Sequence, residues 1–165
     1  MSVLPILTWP DARLSQRCDP VVGIVPDDLI RDMFDTMYAA KGRGLAAPQV
    51  GVMQRFFVMD VGWKEGTPSP MAMINPVIMA AERVPVEMEE ACLSIPGLSV
   101  PVTRPKAVTV QWTAPEGDIH MADFDGFEAR CIQHEFDHLN GVVTLDHLDP
   151  QARAAMLSAY EENHP

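Results

Sequence analysis

The chain has 165 residues, with 23 acids against 12 bases and a formal net charge of −11. That length fits one domain, residues 1–165, able to bury roughly 68–70% of the unfolded chain's surface. The acidic balance argues for weak or no nucleic-acid binding, the absence of a long apolar run argues against a membrane span, and Met1–Trp9 has neither the basic nor the apolar region of a signal peptide, so a cytoplasmic protein is expected.

Residues 4–25 read as an extended, proline-punctuated segment with a short helical turn near Ala12–Gln16. An amphipathic helix is expected from Pro26 to Ala40: Pro26 suits a first turn, Asp27 and Asp28 complement the dipole, and Leu29, Ile30, Met33, Phe34, Met37 and Tyr38 recur at helical spacing. Gly42 is positioned to end it. The run Gly42-Arg43-Gly44-Leu45-Ala46-Ala47-Pro48-Gln49 reads as a loop of small residues. Strands are expected at Phe56–Val61, Met71–Asn75, Val77–Ala81, Val84–Met88 and Ala107–Thr113, with a turn at Pro115–Asp118 and a returning strand at Ile119–Ala122. The 15 prolines favour short strands and loops through the middle of the chain.

A second helix is expected from Asp125, whose Asp-x-x-Glu spacing to Glu128 has the form of a capping box, to Asn140-Gly141. Phe127, Cys131, Ile132, Phe136 and Leu139 make it apolar on more than one side, as for a buried central helix. A last helix begins after Asp149-Pro150 and reaches about Tyr160, followed by an acidic tail with Glu161 and Glu162. Strands precede helices without βαβ alternation, so the class is α+β: short, mostly antiparallel strands around a central helix, with an N-terminal and a C-terminal helix.

The second helix carries His134-Glu135-Phe136-Asp137-His138. Histidines four apart on a helix share a face and reach one metal ion, and the intervening Glu is placed to act as general base on a water. A catalytic tetrahedral site needs a third protein ligand. The extended zinc-protease motif runs as far as Gly141, but its next ligand position is Thr144; His147 is out of register, and Glu161 and Glu162 fall in the tail. A zinc-dependent endopeptidase is thereby disfavoured. The three cysteines, 18, 92 and 131, make no disulfide framework. Cys18 reads as a small buried hydrophobe, whereas Cys92 and Cys131 are both eligible as ligands on spacing alone.

Three segments together resemble the signature motifs of peptide deformylases. Gly42 to Gln49 matches Gly-x-Gly-Leu-Ala-Ala-x-Gln, Gln133 to Leu139 matches Gln-His-Glu-x-Asp-His-Leu, and Glu90 to Ser94 matches Glu-Gly-Cys-Leu-Ser at four of five positions, Ala91 replacing the glycine. Pro10-Asp11, Ile74-Asn75-Pro76 and Arg104 are similar too, and the likeness spans about residues 4 to 148.

The resemblance implies a metal held by Cys92, His134 and His138, natively Fe²⁺, with Zn²⁺ or Ni²⁺ possible. It implies Glu135 as general base, Gln49 and the Leu93 backbone N–H as oxyanion donors, Gly44 as a backbone contact for substrate, and Met88, Phe127 and Cys131 as walls of a methionine pocket. The implied reaction is removal of formate from the formyl-methionine end of new polypeptides by metal-activated water. By helical geometry Asp137 points away from His134 and His138, and Arg104 is its expected partner. A positive φ at Ala91 would add strain of about 1–2 kcal/mol and motivate altered or lost activity, whereas an extended Ala91 would only place a methyl in the groove. The stretch 152–165 has Arg153 as its one Lys or Arg, so attraction to ribosomal RNA through it is expected to be weak.

Overall fold

The computed structural model describes residues 2–165. Five strands form one antiparallel sheet in the order β1 (Gly44–Ala46), β2 (Phe56–Met59), β3 (Met71–Cys92), β4 (Ile95–Thr113) and β5 (Ile119–Asp125). Three α-helices flank it: α1 (Asp27–Ala39), α2 (Gly126–Leu139) and α3 (Pro150–Asn163). The expected α+β architecture is observed.

The middle of the chain differs from its sequence reading in strand length. The three short strands expected between Met71 and Met88 are one strand, β3, and β4 starts 12 residues before Ala107. The expected interruptions coincide with register shifts between Ile74 and Val77 and between Glu82 and Pro85. Pro85 pairs with Pro105 beside the second shift. A proline has no N–H to give to a ladder, so an irregularity is where the sheet tolerates it. The small-residue run after Gly42 is also not a plain loop: Gly44–Ala46 pairs with Phe57–Met59, and Ala47–Val50 forms a 3-10 turn.

β2 explains how the helices are arranged. All four of its side chains are buried. Phe56 and Val58 join Ile30, Met33 and Met37 of α1, while Phe57 and Met59 join Ile132 and Leu139 of α2. Strand alternation thus places α1 on one face and α2 on the other. Each fully buried side chain of this kind contributes roughly 1.5–3 kcal/mol. A third cluster, with Leu14, Cys92, Ile95, Val100, Val143, Leu145 and Tyr160, joins the β3–β4 tip to α3.

The helix ends correct three expectations. At the end of α1 it is Lys41, not Gly42, that adopts the left-handed conformation (φ 59°), and the Gly42 N–H donates back to Met37 O at 2.9 Å. Asp125 makes no side-chain cap on α2. It is the last paired residue of β5, opposite Ala107, and Gly126 (φ 54°) turns the corner into the helix. α3 continues to Asn163 instead of fraying after Tyr160, because the Tyr160 ring is buried, its hydroxyl donates to Trp9 O at 3.1 Å, and His164 stacks on it.

Gly141 closes α2 at φ 74°, where a Cβ would lie 2.7 Å from the Ser15 carbonyl carbon. Gly126 also has a positive φ but faces open space. We expect Gly141→Ala to cost about 2–4 kcal/mol from strain and overlap. Gly126→Ala should cost about 1–2 kcal/mol from strain alone. Thermal denaturation of the two variants checks the difference, and equal losses would contradict it.

Candidate active site

Two rigid elements converge on one cavity. The β3–β4 hairpin turns at Leu93-Ser94, so its tip presents Cys92. α2 presents His134, Glu135 and His138, all buried. The 3-10 turn after β1 adds Gln49, also buried. Glu90 and Cys92 are two apart on β3 and share its inner face, whereas the intervening Ala91 is exposed.

Cys92 Sγ lies 3.3 Å from His138 Nε2. One ligand atom from each of Cys92, His134 and His138 falls within 4.8 Å of the other two. Cys131, the other eligible cysteine, is outside this cluster: its Sγ lies 3.7 Å from Arg43 O, and burial, then Glu135 and Glu90, push its thiol pKa well up. The downstream protease alternatives have other roles. Thr144 is buried, His147 bonds Asp137 at 2.8 Å, and Glu161 and Glu162 are exposed on α3.

Glu90 organises the pair of elements, and the sequence reading gave it no role. Its Oε2 accepts from Arg104 Nε and Arg130 Nη1, each at 2.7 Å, and its Oε1 accepts from Arg104 Nη2 and lies 2.9 Å from His134 Nδ1. Burial alone would raise this carboxyl, but Arg104, His134 and Arg130 hold it well below the usual carboxylate range. A carboxylate only accepts, so His134 Nδ1 carries the proton and Nε2 keeps its lone pair for the site. Arg130 and His134 are four apart on α2, a spacing that could have signalled a shared partner. The expected Arg104–Asp137 pair is present at 2.9 Å.

Gln49 is oriented by its own turn. Its Oε1 accepts from Ala46 N–H at 2.8 Å, which sends Nε2 toward Ser94 Oγ at 3.0 Å and Cys92 Sγ at 3.7 Å. The backbone bond directs the amide into the site. Ser94, like Glu90 and Arg130, has a part in the site that the sequence reading passed over.

The site's electrostatics fit a cation. Burial raises the Glu135 carboxyl to about 7, and its Oε1 has no hydrogen-bond partner. Burial opposes charge on His134, but Glu135, Cys92 and Glu90 outweigh it and hold the ring well above its ordinary pKa. Burial and then the neighbouring His134 and Arg104 push His138 well below. Glu135, Cys92 and Glu90 thus favour positive charge at this point of the pocket, as a divalent ion would supply. A thiolate with two imidazoles is a donor set for Zn²⁺ or Fe²⁺.

The floor opens into a cavity of about 640 Å³ whose walls include Gly44, Leu93, Phe127 and Cys131. Met88 is not among them; it lines a neighbouring cavity of about 420 Å³ that shares Phe127 and Arg130 with the first. Phe127 is 66% exposed at their common edge. Ala91 also lines the larger cavity and is not at positive φ, so the backbone-strain alternative falls away and its methyl simply sits in the groove.

A family model described as polypeptide deformylase matches residues 3–154. The peptide deformylase of Afipia carboxidovorans is 42% identical over 162 residues, covering 97% of this chain and 95% of that one. The crystal structure of peptide deformylase from Ehrlichia chaffeensis in complex with actinonin superposes with a TM-score of 0.91 at 40% identity, covering 99% of both chains. That of Legionella pneumophila gives 0.91 at 37% identity, covering 98% of this chain and 95% of the other.

Two outcomes follow from the Glu90 network. Glu90→Gln should weaken metal binding about 10–100-fold by loosening the His134 orientation, as measured by competition with a chelating dye; unchanged affinity would contradict it. Arg104→Met and Asp137→Asn should be non-additive by roughly 0.5–3 kcal/mol in a double-mutant cycle of denaturation, whereas additive losses would exclude direct coupling.

Proposed function

The chain belongs to the peptide deformylase family of metal-binding hydrolases, and from that premise we propose that residues 1–165 form a single domain that removes formate from the N-terminal formyl-methionine of new polypeptides. The observation that carries this reading is the convergence of Cys92, His134 and His138 on one cluster, with Cys92, His134 and Glu135 lining one cavity. Fe²⁺ is the proposed native ion, with Zn²⁺ or Ni²⁺ as substitutes. No helix among the described residues is long and apolar enough to cross a membrane, and a cytoplasmic site of action with weak or no nucleic-acid binding completes the proposal.

When bound by these three residues, a divalent ion supplies the Lewis acidity that makes water a nucleophile near neutral pH. Glu135 takes a proton from the attacking water as it adds to the formyl carbon. Burial of Glu135 favours its proton-holding form between steps, and it returns the proton to the amine as the C–N bond breaks. Gln49 Nε2, held by the Oε1 bond to Ala46, donates to the oxygen on which charge grows, together with the Leu93 N–H. The products are formate and a free α-amine.

Gly44, the proposed backbone contact for substrate, has no side chain because Glu135 and Cys131 fill that space. A Cβ at this position would lie 2.5 Å from Glu135 Oε2 and 2.8 Å from Cys131 Sγ. Phe127 and Cys131 are proposed to receive the methionine side chain, with Met88 contributing from beyond Phe127.

The test is turnover of a formyl-methionyl peptide by Fe²⁺-loaded protein under anaerobic conditions. Glu135→Ala should lower kcat by roughly 10²–10⁴-fold while metal content stays at the wild-type level. Activity that survived this substitution would contradict the role given to Glu135. Turnover seen only in Ala91→Gly would restore the reading of altered or lost activity, and cleavage of internal peptide bonds would favour an endopeptidase.

A further inference from the structure

The chain has three lysines, Lys41, Lys64 and Lys106. Lys41 and Lys64 line the larger cavity, and Lys106 lines its neighbour. All three are exposed. The ion pairs among the described residues use arginine or histidine as the cation, so the three ammonium groups are uncommitted. A protein with a net charge of −11 thus gathers every lysine it has along one groove.

The lip that carries two of them is built to stay in place. Trp63 Nε1 donates to Gly42 O at 2.8 Å and packs edge-on against Tyr38, whose hydroxyl donates to Asp60 at 2.6 Å. Arg43 forks onto Glu65 at 2.7 and 2.9 Å. Lys41 sits between these anchors at φ 59°, a conformation that glycine or asparagine adopts at less cost. Lys64 Nζ rests 5.7 Å from the Trp63 ring centroid. Of the acids that line the same cavities, Glu90 and Glu135 are buried in the floor, while Glu89 and Asp125 are exposed, so three ammonium groups face two exposed carboxylates.

We propose that this rim is a specificity element for the reaction given above, selecting formylated peptides that carry Asp or Glu a few residues after the formyl-methionine. It rests on the deformylase reading, which places the formyl group on the floor beside Cys92. An extended peptide advances about 3.3–3.6 Å per residue, so side chains beyond the methionine are the ones that reach the lip. There a carboxylate meets ammonium groups on a molecule whose overall field otherwise repels it. An exposed charge pair of this kind changes binding by roughly two- to fivefold, mostly at low ionic strength.

The experiment compares kcat/KM for formyl-Met-Ala-Ala-Ala, formyl-Met-Ala-Asp-Glu and formyl-Met-Ala-Lys-Lys in low and high salt. It uses metal-loaded wild type, Lys41→Ala/Lys64→Ala, Lys106→Ala and Lys41→Glu/Lys64→Glu. The acidic peptide should be favoured over the neutral one several-fold in wild type, through KM, with the ratio falling toward one in high salt and in the alanine variants. The ratio should invert in Lys41→Glu/Lys64→Glu, a reversal that loss of folding cannot produce. No acidic preference in wild type, or a preference unchanged by charge reversal, overturns the proposal. Stronger inhibition by a short RNA than by the deformylated acidic peptide overturns it in favour of a phosphate-binding rim. Turnover of the neutral peptide keeps the parent reading separate: if it is absent, the deformylase reading fails, and if it is present without charge selection, only the rim does.

Discussion

A single buried carboxylate ties together the elements that make this site. Glu90 stands on β3, Arg104 on β4, and Arg130 and His134 on α2. Such a group in a dry interior is tolerated only when its partners are complete, since burying a charge costs several kcal/mol and truncating one partner strands the others. The network therefore holds as a unit and fixes the hairpin against the helix. Cys92 lies two residues beyond Glu90 on the same strand face, and His138 lies one turn beyond His134 on the same helix face. Securing Glu90 to His134 brings the thiol and the second imidazole to each other.

The remainder of the fold supplies rigidity around that bond. β2, buried on both faces, seats α1 and α2 on opposite sides of the sheet. Arg104 passes from Glu90 to Asp137, and Asp137 to His147, so the motif's outward-facing acid ties α2 to the segment after it. Gln49 gains its direction from a backbone bond inside its own turn. The reacting groups thus stand on a strand tip, a helix and a short turn, with His134 and Gln49 further oriented by hydrogen bonds to Glu90 and Ala46.

The parts of this molecule readable from sequence are those with local causes. The periodicity of α1, the His134–His138 spacing, the Asp149 cap and the turn before Ile119 all follow from residues within a few positions of one another. The strand breaks expected at Pro76 and at Glu82-Arg83 are real as bulges, but local pattern could not show that pairing continues across them. β1 was hidden because glycine and alanine carry little strand propensity, and Gly44 stands there because a Cβ would overlap Glu135. The Cys92 ligand followed from the motif resemblance and not from spacing, since 42 residues separate it from His134 and only the folded hairpin joins them. Glu90 and Ser94 escaped for the same reason, whereas Arg130 stood four residues before His134 on one helix face. The methionine-pocket residues were half legible, with Phe127 and Cys131 on the main cavity and Met88 one cavity away.

X-ray absorption at the metal edge tests the central claim most directly, that the Glu90-secured hairpin and helix present one thiolate and two imidazoles to a single ion. The account predicts one sulfur scatterer at about 2.3 Å for a zinc-loaded sample, with two imidazole nitrogens. The sulfur should be lost in Cys92→Ser and retained in Cys131→Ser. Two sulfur scatterers, none, or loss of the sulfur with Cys131→Ser would contradict it.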